Sequence, residues 1–128
     1  MDYKDWLVQA IEDLDVARIL IEGGKYFASA FYSQQAVEKA LKAFILFIGK
    51  DPGKTHSLTE LLSIIENEGF EIPQKIKEDI MVISPHFIIS RYPDAANGIP
   101  AKQYNKTISI DIYNRSKEVI EWLKESLR

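Results

Sequence analysis

The chain contains no cysteine, so neither a disulfide framework nor a thiolate metal site can be built. Histidine is nearly as scarce, with only His56 and His86. Neither an HExxH spacing nor a cluster of Asp, Glu and His at ligand intervals accompanies them, so metal catalysis is not expected. Long hydrophobic runs are missing too. The longest, around Ala43 to Ile48, falls far short of the ~20 residues that cross a bilayer. The N-terminus opens as an acidic amphipathic segment without the basic and apolar blocks of a signal peptide, and the expectation is a cytoplasmic soluble protein. Strand alternation bounded by hairpin signals is absent throughout, which leaves helices. A mixed sheet carrying paired carboxylates for magnesium is therefore not expected, and nucleotidyl transfer would belong to a partner.

What remains is a chain of 128 residues, 46% hydrophobic, enough for one compact domain over residues 1–128. Its strongest pattern lies between Tyr26 and Gly49. Phe27, Phe31, Val37, Leu41, Phe44 and Ile48 recur at helical spacing, and Ala30, Ala36, Ala40, Ala43 and Phe47 widen the stripe until little of the circumference is polar. Such a helix is expected at the centre of a bundle. Set into it are Gln34, Gln35, Glu38, Lys39 and Lys42, polar groups on one flank. They form either a solvated seam with a weak Glu38–Lys42 pair, worth ~0.3 kcal/mol, or a polar lining facing a ligand or a second subunit.

Around that helix the boundaries are marked by punctuation. Residues 3–22 read as a first helix, with Leu7, Ala10, Ile11, Leu14, Ala17 and Ile21 inward and Gly23-Gly24 as its stop. Its acidic run Glu12, Asp13 and Asp15 points several ways and is expected to be solvated. Gly49 is the expected end of the second helix. Between Gly49 and Gly53 lie three residues where a phosphate-binding P-loop needs four, and a helix precedes where a strand should, so Asp51-Pro52-Gly53 reads as a turn. Ser57 and Glu60 form a capping box that opens a third helix, with His56 just outside it. Pro73 opens a fourth, which Ser84-Pro85 should kink or restart. Arg91-Tyr92-Pro93-Asp94 must leave the helix, because the residue before proline is pushed towards extended backbone. Residues 94–106 form the longest loop, and a last helix runs from about Thr107 to Leu127. The reading is all-α: an antiparallel bundle of about five helices.

Charge is unevenly spread under a net −3. Residues 1–24 carry two basic against six acidic side chains, and residues 57–80 repeat that imbalance. Residues 34–56 carry four basic against two acidic, and residues 86–106 three against one. Should the two positive segments meet, they make an anion-attracting region on an acidic protein.

Three stretches in this order carry a family resemblance: Phe31 to Phe44 (FYSQQAVEKALKAF), Thr55-His56-Ser57-Leu58, and Arg91-Tyr92-Pro93-Asp94. The chain resembles the HEPN (higher eukaryotes and prokaryotes nucleotide-binding) domain family over essentially its whole length. The resemblance implies a helical bundle, commonly a homodimer. It also implies, for stand-alone prokaryotic members, a small nucleotidyltransferase partner in a toxin–antitoxin-like pair. Some members are metal-independent ribonucleases, in which an arginine is followed four to six residues later by a histidine.

This chain departs from that signature. Arg91 is present, but positions 96, 97 and 98 are Ala96, Asn97 and Gly98, and both histidines precede the arginine. Asparagine holds a phosphate oxygen but does not shuttle protons near neutral pH. Two readings stand. In the first, the protein is a nucleotide- or RNA-phosphate-binding module: Lys39, Lys42 and Arg91 contact the anion, Tyr92 stacks on a base, and Gln35 and His56 hydrogen-bond. It needs no cofactor or metal. A salt bridge from Arg91 to Glu38 or Asp94 is the structural alternative for that arginine. In the second reading the protein is a ribonuclease with a non-standard site.

Overall fold

The computed structural model describes residues 2–128. Among them lie five helices of ten or more residues: α1 (Tyr3–Glu22), α2 (Tyr26–Phe47), α3 (Leu58–Asn67), α4 (Gln74–Ile83) and the last, α8 (Lys106–Ser126). Three single turns, α5 (His86–Ile89), α6 (Pro93–Ala96) and α7 (Pro100–Gln103), fill the stretch before α8. No strand occurs among the described residues. The all-α bundle expected from the periodicity is what forms.

The helix α2 is the axis of the molecule. Thirteen of its residues are buried, and α1, α3, α5, α7 and α8 all pack on it. The pairing of α1 with α2 is antiparallel. Tyr3 meets Phe47 edge-on at 5.1 Å, Asp13 bonds Lys39, and the Ser29 hydroxyl donates to the Ala17 carbonyl at 2.8 Å. Ala10, Ala17, Ala30 and Ala36 are fully buried, which lets helix backbones approach closely. The pairs Lys75–Glu118 and Asp79–Arg115 likewise set α4 antiparallel to α8. One continuous core, including Leu41, Ile45, Leu61, Ile65, Ile80, Ile120 and Leu123, joins α2, α3, α4 and α8.

The helix ends follow from local chemistry. At the end of α2 the Gly49 amide bonds the Leu46 carbonyl and the Lys50 amide bonds that of Ile45. That closure needs a left-handed residue, and Gly49 supplies it at φ 82°. A full capping box sits on α1, where Asp2 and Asp5 each accept from the other's turn. At α3 the expected box closes differently. Ser57 Oγ accepts from the Glu60 amide at 3.3 Å, but Glu60 takes the Thr55 hydroxyl, and Thr55 Oγ1 accepts from the Ser57 amide at 3.1 Å. The Ser57 amide is thus already satisfied. The chain restarts at Pro85: Ser84 remains helical in backbone, and α5 begins one residue beyond the proline.

The segment 94–106, expected as an open loop, is instead pinned. Pro93 and Pro100 each open a helical turn at a position where the missing N–H costs nothing. Tyr104 is 6% exposed and its hydroxyl meets His86 Nδ1 at 2.6 Å. Phe47, placed in the inward stripe by spacing, is 41% exposed at the end of α2.

Candidate functional site

The polar row of α2 is a buried network, and the solvated-seam reading of it is corrected. Gln34, Glu38 and Lys42 are each no more than 5% exposed, because α1 and the connection between α2 and α3 cover that flank. A buried charge must be paired and hydrogen-bonded, and each of these is. Glu38 takes Lys42 Nζ at 3.4 Å, Gln35 Nε2 at 3.4 Å and His56 Nδ1 at 3.1 Å. Gln34 accepts from Gln35 at 2.8 Å and donates to the His56 carbonyl at 3.1 Å, fixing the backbone that carries the imidazole. An ionised carboxylate only accepts, so the Nδ1 of His56 carries the proton towards Glu38. The other ring nitrogen, Nε2, is left for whatever enters from outside.

From His56 the site continues through aromatic stacking. The imidazole lies nearly parallel to the Phe87 ring, centroids 4.3 Å apart and planes 13° from coplanar. Arg91, one helical turn beyond Phe87, lays its guanidinium on the same ring, with Cζ 4.3 Å from the centroid, and also against Phe31 at 4.7 Å and Tyr92 at 4.9 Å. Its Nε donates to the Phe87 carbonyl at 2.8 Å. The alternative of a salt bridge to Glu38 or Asp94 is not realised: Arg91 has no carboxylate partner among the described residues. The reason is geometric. The extended backbone of Tyr92 before Pro93 turns the chain away, and three rings hold the guanidinium instead. The terminal amino groups of Arg91 are left without a protein acceptor among the described residues. A groove of about 410 Å³ opens beside this assembly, lined by His56, Ser57, Ser84, Pro85, Phe87 and Ile88.

The candidate residues divide between two sides of α2. Gln35, His56, Arg91 and Tyr92 belong to this cluster. Lys39 turns to α1, where it pairs with Asp13 and lines a separate groove of about 290 Å³ with Asp5, Trp6 and Gln9. Lys42 lies between them, bonded to Glu38 with its ammonium 5.7 Å from the Trp6 ring centroid. Asp13, expected on a solvated face, is 3% exposed under this pair, because Gln9 and Lys39 close over it. The positive surplus of residues 34–56 is thereby largely neutralised, Lys50 pairing with Glu68 as well. The two basic segments do meet at the His56–Phe87 stack, and Arg91 is the cation there with no carboxylate beside it.

Sequence reasoning placed Glu38 only within the polar row of the second helix, and gave Phe31 and Phe87 no role at a site. The spacing of Glu38 with Gln35 and Lys42 was the available signal, but spacing says nothing of the loop that brings His56 onto it. Phe87 has no signal apart from its place one turn before Arg91. The other histidine, His86, is no part of the cluster. Burial pushes its imidazole below the ordinary range and pushes the Tyr104 hydroxyl up to about 12. No group of three or more His, Cys, Asp or Glu among the described residues could hold a metal ion. No described helix is long and apolar enough to cross a membrane.

A buried carboxylate hydrogen-bonded to an imidazole, beside an arginine with no carboxylate partner among the described residues, is thus carried on an all-helical bundle. The chain belongs to the HEPN domain family, whose model matches residues 3–126. A protein of Methanocaldococcus jannaschii, provisionally named toxin MJ1304, is 28% identical over 98% of this chain and 88% of its own length. The crystal structure of TT1696 from Thermus thermophilus superposes with a TM-score of 0.90 at 30% identity, covering 98% of each chain. A structure described as an archaeal HEPN homologue gives 0.84 at 29% identity, over 100% of this chain and 99% of that one.

Proposed function

We propose that residues 1–128 act as one HEPN domain that binds nucleotide or RNA phosphate at Arg91. We further propose that it works as a homodimer beside a small nucleotidyltransferase in a toxin–antitoxin-like pair. The observation that carries the reading is the state of Arg91. It is a cation stripped of acidic neighbours, held by Phe31, Phe87 and Tyr92, with terminal N–H groups turned to no protein acceptor. A guanidinium so held loses little freedom when a phosphate docks, and its planar fork suits two phosphate oxygens. Tyr92, 47% exposed, offers a ring for a base. His56 and Gln35 supply hydrogen bonds at the rim, while Lys39 and Lys42 act through the carboxylates they hold. Ile88 and Tyr92 are exposed apolar side chains on either side of Arg91 along the chain, and a second copy would cover them. The name of the archaeal relative supports the toxin-like role.

The test is titration of ATP and of a short single-stranded RNA into the purified protein, with light scattering on the same sample. A dimer that binds either ligand, more weakly as salt rises and in Arg91→Ala, supports the reading. A protein indifferent to both overturns the phosphate site and leaves docking to a protein partner, which co-purification with the nucleotidyltransferase would test.

A further inference from the structure

Asn97 and Gly98 close the single turn α6, and each stands there for a backbone reason. Asn97 sits in the left-handed region at φ 53° and ψ 43°, which asparagine enters more readily than most residues. Gly98 follows at φ 157°, and a Cβ there would stand 2.6 Å from Gln103 Nε2, so the position holds glycine. The turn thus forces together a pair in which no second side chain shields the backbone nitrogen from the asparagine amide. Of Asn67, Asn97, Asn105 and Asn114, only Asn97 precedes a glycine. Its side chain is exposed and bonds nothing among the described residues. What keeps the pair inert is the closed turn. The Gly98 amide donates to the Pro93 carbonyl at 3.0 Å, the Asn97 amide to that of Asp94 at 3.4 Å, and the Ala96 amide to that of Tyr92 at 3.0 Å. None of the four residues of α6 is buried and no side chain caps its start, so little beyond these bonds holds the turn shut.

We propose that Asn97 deamidates in the native protein through opening of α6, and that the carboxylate it leaves weakens phosphate binding at Arg91. The second half rests on the phosphate-binding reading above. With the turn open, the Gly98 nitrogen gives its proton to hydroxide and forms a bond to Asn97 Cγ. The Cγ–Nδ2 bond breaks with its electron pair going to Nδ2, which leaves as ammonia after taking a proton from water. That step returns the hydroxide. Water then adds to one of the two carbonyl carbons of the cyclic imide, and the ring nitrogen takes up a proton as its bond to that carbon opens. Opening at Cγ gives aspartate, and opening at the backbone carbon gives isoaspartate. Water is the only co-reactant. Either product places a negative charge on residues 86–106, a segment with three basic side chains against one acidic. Through the Ala96–Tyr92 bond, residue 97 is held close behind the residue that follows Arg91. The separation is comparable with the ~10 Å over which charges act in 0.1 M salt. A cation with no carboxylate partner thereby gains an acidic neighbour.

The experiment holds the purified protein at mildly alkaline pH beside the same chain unfolded in guanidinium chloride, and peptide mass spectrometry reads conversion at each asparagine. Native Asn97 is expected to convert ahead of Asn67, Asn105 and Asn114, and about tenfold more slowly than in the unfolded chain. Pro93→Ala, which frees the backbone of the open turn, is expected to speed native conversion about two- to fivefold. Conversion at the unfolded rate would mean that the turn protects nothing. Asn97 converting no sooner than the other three, or a Pro93→Ala rate equal to that of the wild type, would mean that α6 does not open to allow it. Each of these overturns the modification. For its consequence, anisotropy with the short single-stranded RNA compares Asn97→Asp with Asn97→Gly, a neutral residue that takes the same left-handed backbone. Asn97→Asp is expected to bind about two- to threefold more weakly, the gap closing as salt rises, while Asn97→Gly binds as the wild type does. Equal binding by both variants overturns the consequence alone. RNA not bound by the wild-type protein overturns the phosphate site and the consequence together, with conversion at Asn97 still read by mass.

Discussion

Glu38 and His56, eighteen residues apart, meet at 3.1 Å between a carboxylate oxygen and Nδ1. That bond ties the central helix to the connection leading into α3. On its outer side the imidazole stacks on Phe87, and Phe87 carries Arg91. The central helix, the connection to α3 and α5 with the arginine that follows it are thereby linked to one buried carboxylate, which makes it the first place to perturb.

Glu38→Ala removes the partner of Lys42, whose side chain is 6% exposed, and leaves a buried charge unpaired. A loss of about 3–5 kcal/mol is expected in urea unfolding. Adding Lys42→Met should return part of it, and the double-mutant cycle measures the coupling. A loss well under 1 kcal/mol in the single variant would mean that the lysine swings out to water.

Asp79 is fully buried between α4 and α8, and one of its oxygens takes both Lys75 at 2.6 Å and Arg115 at 2.9 Å. Its other oxygen has no partner. Hydrogen bonds to Asp111 and Asp79 hold the Arg115 guanidinium above its ordinary range. Arg115→Met should cost about 2 kcal/mol of folding stability, since Lys75 still offers the carboxylate one partner. Lys75→Met, at a side chain 57% exposed, should shift the urea midpoint much less.

Stability should fall on both sides of neutrality through one contact. Burial holds the His86 imidazole below 6.5, so in acid the unfolded chain takes up a proton before the folded one does. The melting temperature should therefore decline as pH drops below about 6.5, and His86→Gln should flatten that limb. Tyr104, its hydroxyl pushed up to about 12, stays protonated when folded after the unfolded chain has begun to ionise near 10. Stability should decline again from about pH 10 upwards, and Tyr104→Phe should remove that part. Calorimetry across the range reads both.

Arg91→Ala should weaken binding of single-stranded RNA and lower the slope of log K against log salt by about one. Arg91→Lys should recover part of the salt dependence but less of the affinity, because an ammonium cannot lie flat on Phe31, Phe87 and Tyr92. Anisotropy titrations at several salt concentrations distinguish the two. An unchanged slope in Arg91→Ala would remove this residue from the phosphate site.

Helix positions and their ends were legible because they rest on short-range causes. The spacing of Phe31, Val37, Leu41 and Phe44 requires a helix, Gly49 ends it through its left-handed backbone, and Pro93 forces Tyr92 out of helical geometry whatever surrounds them. Gln35, His56, Arg91 and Tyr92 could be named as candidates, since their residue types and order carry the family pattern. Burial was not legible. Glu38–Lys42 at four-residue spacing looks the same whether it faces water or another helix, and Asp13 sits in an acidic run indistinguishable from a solvated one. Only the docking of α1 and of the loop before α3 takes water away from them. The sequence by itself thus determined the helices, their order and the cation at position 91. Tertiary packing decided which charges lose water and must find partners, because desolvation depends on neighbours distant in sequence. It placed Lys39 on Asp13, Lys42 on Glu38 and His56 between Glu38 and Phe87, and left Arg91 the cation at the groove with no carboxylate beside it.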